Sequence, residues 1–508
     1  MIESLTIFDN ILILLYFVVV LAIGLYFSRR EKATAEDYFL ANRNMGWLVI
    51  GFSIFATNIS SEHLVGLASS GAERGFAVGH FEWLAVIFII MLGWIFAPIL
   101  LKSKVNTIPE LIGQKFGNSA RKIFSGLSIF TYIFTKIGIT LLAGGILLQE
   151  ILGWNFVTSA IIMLLFTGFY TIIGGLRSVM YTQIFQAILF LLGGFLVLFF
   201  GIDAVGGFSA LVQEVPGGHW EFLKPLSDPD FPWLGIVIGA PIIAAWYWWA
   251  DQYIVQRILS ARNISEAKKG TILGASLKVL PFLLFILPGM IAIQLNSTIA
   301  ANEAYASLFH SNIFPIGVKG IIVSGFFAAL MSSLASAFNS IATLIAYDFV
   351  KGDNPETNDE QLVLVGRLST IFIVIGSIMF IPLLNLFSNG MYVNLQSMQA
   401  YISPPIVVIF LMGLFWKRAT SKAVIWTLIV GEFFGFLRLA SDFINFNNTD
   451  FAFMNSFLTI NYLYFAGILF SFSFLLFVGV SFVTANNNKT VEWGEKIALN
   501  VNKLNNNF

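Results

Sequence analysis

Residues 45–75, MGWLVIGFSIFATNISSEHLVGLASSGAERG, decide the fold. The stretch is long and apolar enough to cross a bilayer, for which about 20 residues suffice. Yet Thr57, Asn58, Ser60, Ser61, Glu62 and His63 crowd its middle. Lipid offers no hydrogen bonds, so such groups must face protein, water or a ligand. An ionisable group at mid-membrane costs roughly 2.5–3.5 kcal/mol on insertion scales. One polar residue would suit a helix–helix contact lined by small polar side chains. So many within seven positions suit a helix interrupted at a midplane binding site.

The rest of the chain agrees with a membrane setting. Charged residues make up 11% of it and hydrophobic ones 57%, whereas soluble domains carry about 25% charge. The chain therefore reads as an all-α polytopic membrane protein in contact with the lipid bilayer. A net charge of zero argues against a nucleic-acid partner. With no cysteine, disulfides and thiol chemistry are excluded, and the four histidines lack metal-ligand spacing. MIESLTIFDN has no basic segment, and the apolar run after it is too long for a signal peptide. That run is expected to be a true span.

Spans are expected near 8–28, 45–72, 77–101, 121–150, 155–174, 178–203, 233–259, 271–295, 315–350, 363–386, 389–416, 421–440 and 456–484, about thirteen helices in all. The run 315–350 is long enough to break or tilt. Lys and Arg gather in alternate loops: Arg29, Arg30, Lys32 and Arg43, then Lys102, Lys104, Lys115, Arg121 and Lys122, then Arg257, Arg262, Lys268 and Lys269. That side is expected to be cytoplasmic, with the N-terminus outside and the C-terminus inside a cell membrane. Segments follow: an outer helix and first loop at 1–44, an extracellular acidic loop at 204–232, peripheral helices at 417–484 and a polar cytoplasmic tail at 485–508. The remaining blocks, 45–203 and 233–416, each begin with a disrupted span.

The second disrupted span, 233–259, holds Gly235, Gly239 and Pro241 before Trp246-Tyr247-Trp248-Trp249-Ala250-Asp251-Gln252. Proline frees backbone carbonyls and glycine loosens a helix. Two interrupted helices opening two five-helix halves point to an inverted-repeat transporter. For Trp246 and Trp249 an interfacial belt is an equal reading. Glu82, Lys136, Lys278 and Gln396 are further polar groups within apolar runs, although either lysine can also snorkel to the interface. Around 328–336, Ser332 and Ser333 share a helix with small residues. Close helix packing is the ordinary meaning of such a stretch. With the carbonyls of Ala56 and Ile59, the two hydroxyls would also cage a hard cation such as Na⁺ without a carboxylate.

These residues resemble the sodium/solute symporter family, and within it the sodium/glucose cotransporter branch. The likeness runs from about residue 10 to 430. It is carried by Asn58-Ile59-Ser60-Ser61-Glu62-His63, Phe81-Glu82-Trp83, Tyr132-Ile133-Phe134-Thr135-Lys136, Gly174-Gly175-Leu176-Arg177, Asp251-Gln252-Tyr253-Ile254-Val255-Gln256-Arg257, Met331-Ser332-Ser333-Leu334, and Gln396 with Ser403-Pro404-Pro405. The resemblance implies the five-plus-five inverted-repeat, leucine-transporter-type fold, with extra helices at both ends. It implies that His63, Glu82, Lys278 and Gln396 bond a sugar's hydroxyls and that Asn58 links the sugar and sodium sites. Tyr247 would stack under the sugar as the inner gate, with Leu67, Phe81 and Tyr392 as the outer lid. Ala56, Ile59, Ala329, Ser332 and Ser333 would hold Na⁺, the co-transported ion.

The chemistry of the set agrees. A hexose presents a ring of hydroxyls and an apolar C–H face. Glu82 accepts, Lys278 donates, His63 and Gln396 do both, and Tyr247 offers a platform. One departure stands out: Gln183 follows Tyr181-Thr182 where relatives with a second sodium site carry aspartate, and Ala335 replaces one hydroxyl, though Ser336 remains. One Na⁺ per sugar is therefore expected. The expected activity is secondary active uptake of a glucose- or galactose-type sugar. Inositol, another polyol or an anionic sugar would fit the same mechanism, and a sugar-gated channel or sensor is the rival of another class. An enzyme is disfavoured, because the sequence offers no nucleophile–base constellation.

Overall fold

The computed structural model describes residues 5–28, 34–60, 62–311, 313–384, 391–444 and 459–485. Helices dominate, and the described residues form no strands, only isolated bridges at Met45–Ala261 and Lys224–Pro232. In lipid the backbone must satisfy its own hydrogen bonds, which helices do within one segment. Eleven helices among the described residues are long and apolar enough to cross a membrane.

One of them, Phe156–Ala204, has 49 residues. At 1.5 Å per residue it would be about 73 Å long, more than twice the bilayer core of about 30 Å. It is not one straight rod. Gly175 sits at φ 56°, ψ −157°, packed on Tyr38, where a Cβ would collide with the Tyr38 backbone. The turn falls between the two spans expected at 155–174 and 178–203. Asn155 caps the start, its side chain accepting from the Val157 amide.

The run expected to break or tilt at 315–350 does not break. It is helical from Val318 to Leu344 and then widens into a π-helical turn at Ile345–Lys351. It is the most buried of the long apolar helices, 94% covered, against 28% for Ile7–Ser28 and 33% for Tyr462–Thr484. Glycine allows a close approach here, since Gly325 lies against the backbone of Leu189 and Phe190.

The two disrupted spans are interrupted as read. Helix Trp47–Asn58 ends at Ile59, which is extended at φ −76°, ψ 120°, and helical winding resumes at Glu62–Leu67 and Ala68–Arg74. Helix Trp233–Ala245 contains Pro241, widens into a π turn at Trp246–Ala250, and stops at Asp251, extended at φ −85°, ψ 116°. A second helix, Gln252–Leu259, follows, capped by the Asp251 carboxylate on the Tyr253 amide. The two breaks thus share one backbone conformation. Segment 204–232 lies over the 68–74 helix, where Asp230 pairs with Arg74 at 2.6 Å and His219 Nε2 meets the Ala72 carbonyl at 2.9 Å.

Candidate solute and sodium sites

The break at Ile59 turns backbone carbonyls away from helical partners and toward the 318–344 helix. Ser332 Oγ lies 2.8 Å from both the Ala56 and the Ala329 carbonyl, its one proton available to either. Ser333 Oγ donates to the Ile59 carbonyl at 3.0 Å. Ala56, Ile59, Ala329, Ser332 and Ser333 are therefore brought together although the two segments are more than 270 residues apart. All five are buried. Every ligating atom they offer is a neutral oxygen, the donor set a hard monovalent cation accepts.

Beside this cluster lies a small cavity of about 60 Å³. Asn58, His63, Phe81, Glu82, Tyr247, Lys278 and Gln396 line it, together with Leu84, Ala85, Ile243, Ala244, Trp248 and Gln399. Lys278 Nζ donates to Glu82 Oε2 at 2.5 Å and lies 3.1 Å from His63 Nε2. His63 Nε2 is also 3.5 Å from Glu82 Oε1. Asn58 Nδ2 donates to the Tyr247 hydroxyl at 3.0 Å, while Asn58 Oδ1, buried, accepts no hydrogen bond from the described residues. An unsatisfied acceptor in a polar cavity is a place for a ligand's donor.

The snorkelling alternative fails for both lysines. Lys278 is buried against a carboxylate that offsets its desolvation. Lys136 is also buried, with its ammonium 4.0 Å from the Tyr247 ring centre and 4.9 Å from that of Tyr253. The interfacial-belt alternative fails for Trp246 and Trp249, both buried. Trp249 stacks on Phe88 and donates to its carbonyl at 3.0 Å. Of the three residues expected to form the outer lid, Phe81 lines the cavity, Leu67 is fully buried outside the lining, and the Tyr392 side chain lies outside the described residues.

Sequence reasoning missed several participants. Gln399 lies one helical turn after Gln396 and shares its face, a signal that i,i+3 spacing contained. Tyr253 was read only as part of a motif. Its hydroxyl donates to the Thr57 carbonyl at 2.8 Å, tying the second broken helix to the first. Gln183 Nε2 lies 2.8 Å from Ser336 Oγ, 3.1 Å from Thr57 Oγ1 and 3.2 Å from the Ser332 carbonyl. Arg257 Nη2 donates to the same Ser336 Oγ at 2.6 Å. An amide nitrogen and a guanidinium thus sit among oxygens that could otherwise surround an ion.

The profile of the sodium:solute symporter family matches residues 38–431. The chain belongs to that family. Among curated relatives of this symporter, zebrafish sodium/glucose cotransporter 4 is 36% identical over 94% of this chain and 79% of its own. Sheep sodium/glucose cotransporter 1 is 36% identical over 94% and 78%, and rabbit sodium/myo-inositol cotransporter 2 is 36% identical over 86% and 70%. A Na⁺-coupled sialic acid symporter, solved in a substrate-bound outward-open state, superposes with a TM-score of 0.82 at 22% identity, covering 95% of this chain and 99% of that one. Mhp1, a nucleobase-cation-symport-1 family transporter, superposes at 0.51 and 14% identity, covering 87% and 95%. The symporter therefore has the inverted-repeat fold expected from its two broken helices. It is a multi-pass membrane transporter rather than an enzyme, and Na⁺ is its co-transported ion.

Proposed function

We propose that this symporter couples inward Na⁺ movement to uptake of a glucose- or galactose-type hexose by alternating access, with one Na⁺ per sugar. The observation that carries the reading is the adjacency of two sites across one helix break. The Ala56 and Ile59 carbonyls face Ser332 and Ser333, while Asn58, between them in sequence, reaches Tyr247 at the floor of the polar cavity. Na⁺ bound to those oxygens holds the broken helix in the shape that presents Asn58 and His63 to the sugar. Glu82, Lys278, His63 and Gln396 bond its hydroxyls, and the Tyr247 ring takes its C–H face. Phe81, with Leu67 and Tyr392, closes the outer side, and movement of Tyr247 opens the inner one. Coupling is reciprocal: whatever Na⁺ adds to sugar affinity, sugar adds to Na⁺ affinity.

The single-ion stoichiometry is supported by Gln183 and Arg257, which place nitrogen donors around Ser336. One Na⁺ moving down about 100 mV gains roughly 2.3 kcal/mol. A tenfold concentration ratio adds roughly 1.4 kcal/mol, so that one ion supports roughly several-hundred-fold accumulation. In this reading 45–203 and 233–416 are the two repeats, the basic loops are cytoplasmic, and the N-terminus is outside. Myo-inositol is the second candidate solute, favoured by the equally similar myo-inositol cotransporter. Na⁺-driven uptake of labelled glucose, galactose and myo-inositol into proteoliposomes decides among them, with reversal potentials giving ions per solute. Accumulation of none of the three, or two charges moved per sugar, would overturn the corresponding part of the reading.

A further inference from the structure

On the side of the molecule rich in Lys and Arg, a second hollow of about 860 Å³ opens between three segments. Its walls are the turn at Asn42 and Arg43, the stretch from Leu101 to Asn106 that ends the second long apolar run, and Ala261–Ser265 at the start of helix Ile264–Leu277. Four cations and one carboxylate line it: Arg43, Lys102, Lys104, Arg262 and Glu36. Arg43 is already engaged within the protein. Its guanidinium bonds Glu36 at 2.8 Å, the Val105 carbonyl at 2.9 Å and Asn106 Oδ1 at 3.0 Å. Lys102, Lys104 and Arg262 have no ion-pair partner among the described residues, and all three are exposed. Among the described residues, the Arg262 side chain reaches the neutral side chain of Asn44, Nε donating to Oδ1 at 2.8 Å. The hollow therefore holds three cations that no acid among the described residues of its walls balances.

Its position selects the partner. The hollow lies at the end of one apolar run, His63–Ser103, and at the start of another, Ile264–Leu295. Those helices pack together, Gly93 against Thr271. Beside the seam the surface is apolar and outward-facing: Trp94, Ile95 and Ile272 are each 40–55% exposed. Lys268 lies over the Trp94 ring at 4.5 Å. An indole topped by a cation is an interfacial marker. A ligand here finds acyl-chain surface on one side and three unbalanced cations on the other.

We propose that this hollow binds the headgroup of an anionic phospholipid, its acyl chains lying along Trp94, Ile95 and Ile272. Phosphate oxygens accept from Lys102, Lys104 and Arg262, and the first free amides of the 264–277 helix add partial positive charge to the same space. The lipid bridges the chain just before the first broken helix, the end of the following span, and the link after the second broken helix. Backbone hydrogen bonds of 3.0 Å already join the first and last of these, from the Arg262 amide to the Met45 carbonyl and from the Met45 amide to the Ser260 carbonyl.

The test uses the full chain in phosphatidylcholine nanodiscs containing a minor fraction of phosphatidylglycerol, reading phosphatidylglycerol bound per protein by native mass spectrometry. Neutralising Lys102→Gln, Lys104→Gln and Arg262→Gln together should weaken binding by on the order of a hundredfold, at roughly fivefold per cation. The charge-preserving pair Lys102→Arg/Lys104→Arg should retain it. Neutralising Lys417, Arg418 and Lys422, a basic cluster outside the hollow, should leave it almost unchanged. Equal loss in both neutralised variants means general surface attraction and overturns the site, as does no loss in the first. Should the triple variant not fold, Lys102→Gln and Lys104→Gln alone must each show the fivefold step. Displacement of the lipid by millimolar inorganic phosphate would reassign the hollow to a soluble anion and overturn the lipid proposal.

Discussion

Replacing Lys278 by methionine should cripple the symporter, and adding Glu82→Gln should restore its stability but not its transport. Lys278 Nζ and Glu82 Oε2 are 2.5 Å apart, and both side chains are 3% exposed. At an effective dielectric of about 20, that separation gives about 7 kcal/mol of attraction. Desolvating the two ions costs several kcal/mol each, so the pair as a whole contributes little net stability. Removing one partner is different, because it strands a buried charge at a cost of about 3–5 kcal/mol. Lys278→Met is therefore expected to unfold at a clearly lower temperature in detergent. In Glu82→Gln/Lys278→Met no charge is stranded, the glutamine still offers His63 a partner, and stability should return to within about 1 kcal/mol of the parent. Transport should not return. The sugar has lost two charged hydrogen-bond partners, worth at least about tenfold each in apparent affinity. Thermal unfolding and Na⁺-driven hexose uptake are measured on the parent, both single variants and the double. A double variant as unstable as Lys278→Met would refute the stranded-charge argument. A double variant with parental sugar affinity would remove the pair from the sugar site.

Ser333→Ala deletes the hydroxyl that reaches the Ile59 carbonyl; apparent Na⁺ affinity should fall by about tenfold, and unchanged sodium dependence of uptake would sink the ion assignment. Tyr247→Phe keeps the ring but leaves Asn58 Nδ2 without its 3.0 Å acceptor. Stability should drop by about 1–3 kcal/mol with hexose uptake retained, whereas Tyr247→Ala should abolish uptake; equal transport by the two would refute the platform role. Lys115, on the short helix Ile108–Phe116, has its ammonium held down to about 8 by burial. The unfolded chain therefore binds more protons between about pH 8 and the ordinary lysine value of 10.5, and Lys115 adds stability as pH rises through that window. Parent and Lys115→Gln compared by thermal unfolding from pH 7.5 to 10.5 should show the parent's relative stability rising with pH; parallel curves would refute it.

The spans were legible because lipid imposes a coarse and unforgiving rule on every residue of a crossing. The break at 57–63 was legible for the same reason, since six polar groups cannot sit at mid-membrane without partners. Roles within the 233–259 span, and that of Lys136 in the 121–150 span, were less legible. Trp246, Trp249 and Lys136 sit where an interfacial belt and a snorkelling lysine would also sit in sequence. Only packing shows Trp249 stacked on Phe88 and Lys136 beneath Tyr247. The length of the run at 315–350 allowed either a break or a tilt; only the structure shows that it runs unbroken from Val318 into a π-helical turn at Ile345–Lys351.

By itself the sequence determined that this is a helical membrane protein with two interrupted helices, and it named the polar residues that had to be accounted for. Those conclusions rest on local facts: hydropathy, hydrogen-bonding capacity and the placement of proline and glycine. The tertiary structure decided which of those groups meet. Glu82 and Lys278 are 196 residues apart, and Ser332 and Ala56 are 276 apart. No local preference records such pairings; they arise when helices distant in the chain pack together. The same packing placed Gln183 and Arg257 on one serine and left Lys102, Lys104 and Arg262 around an open hollow.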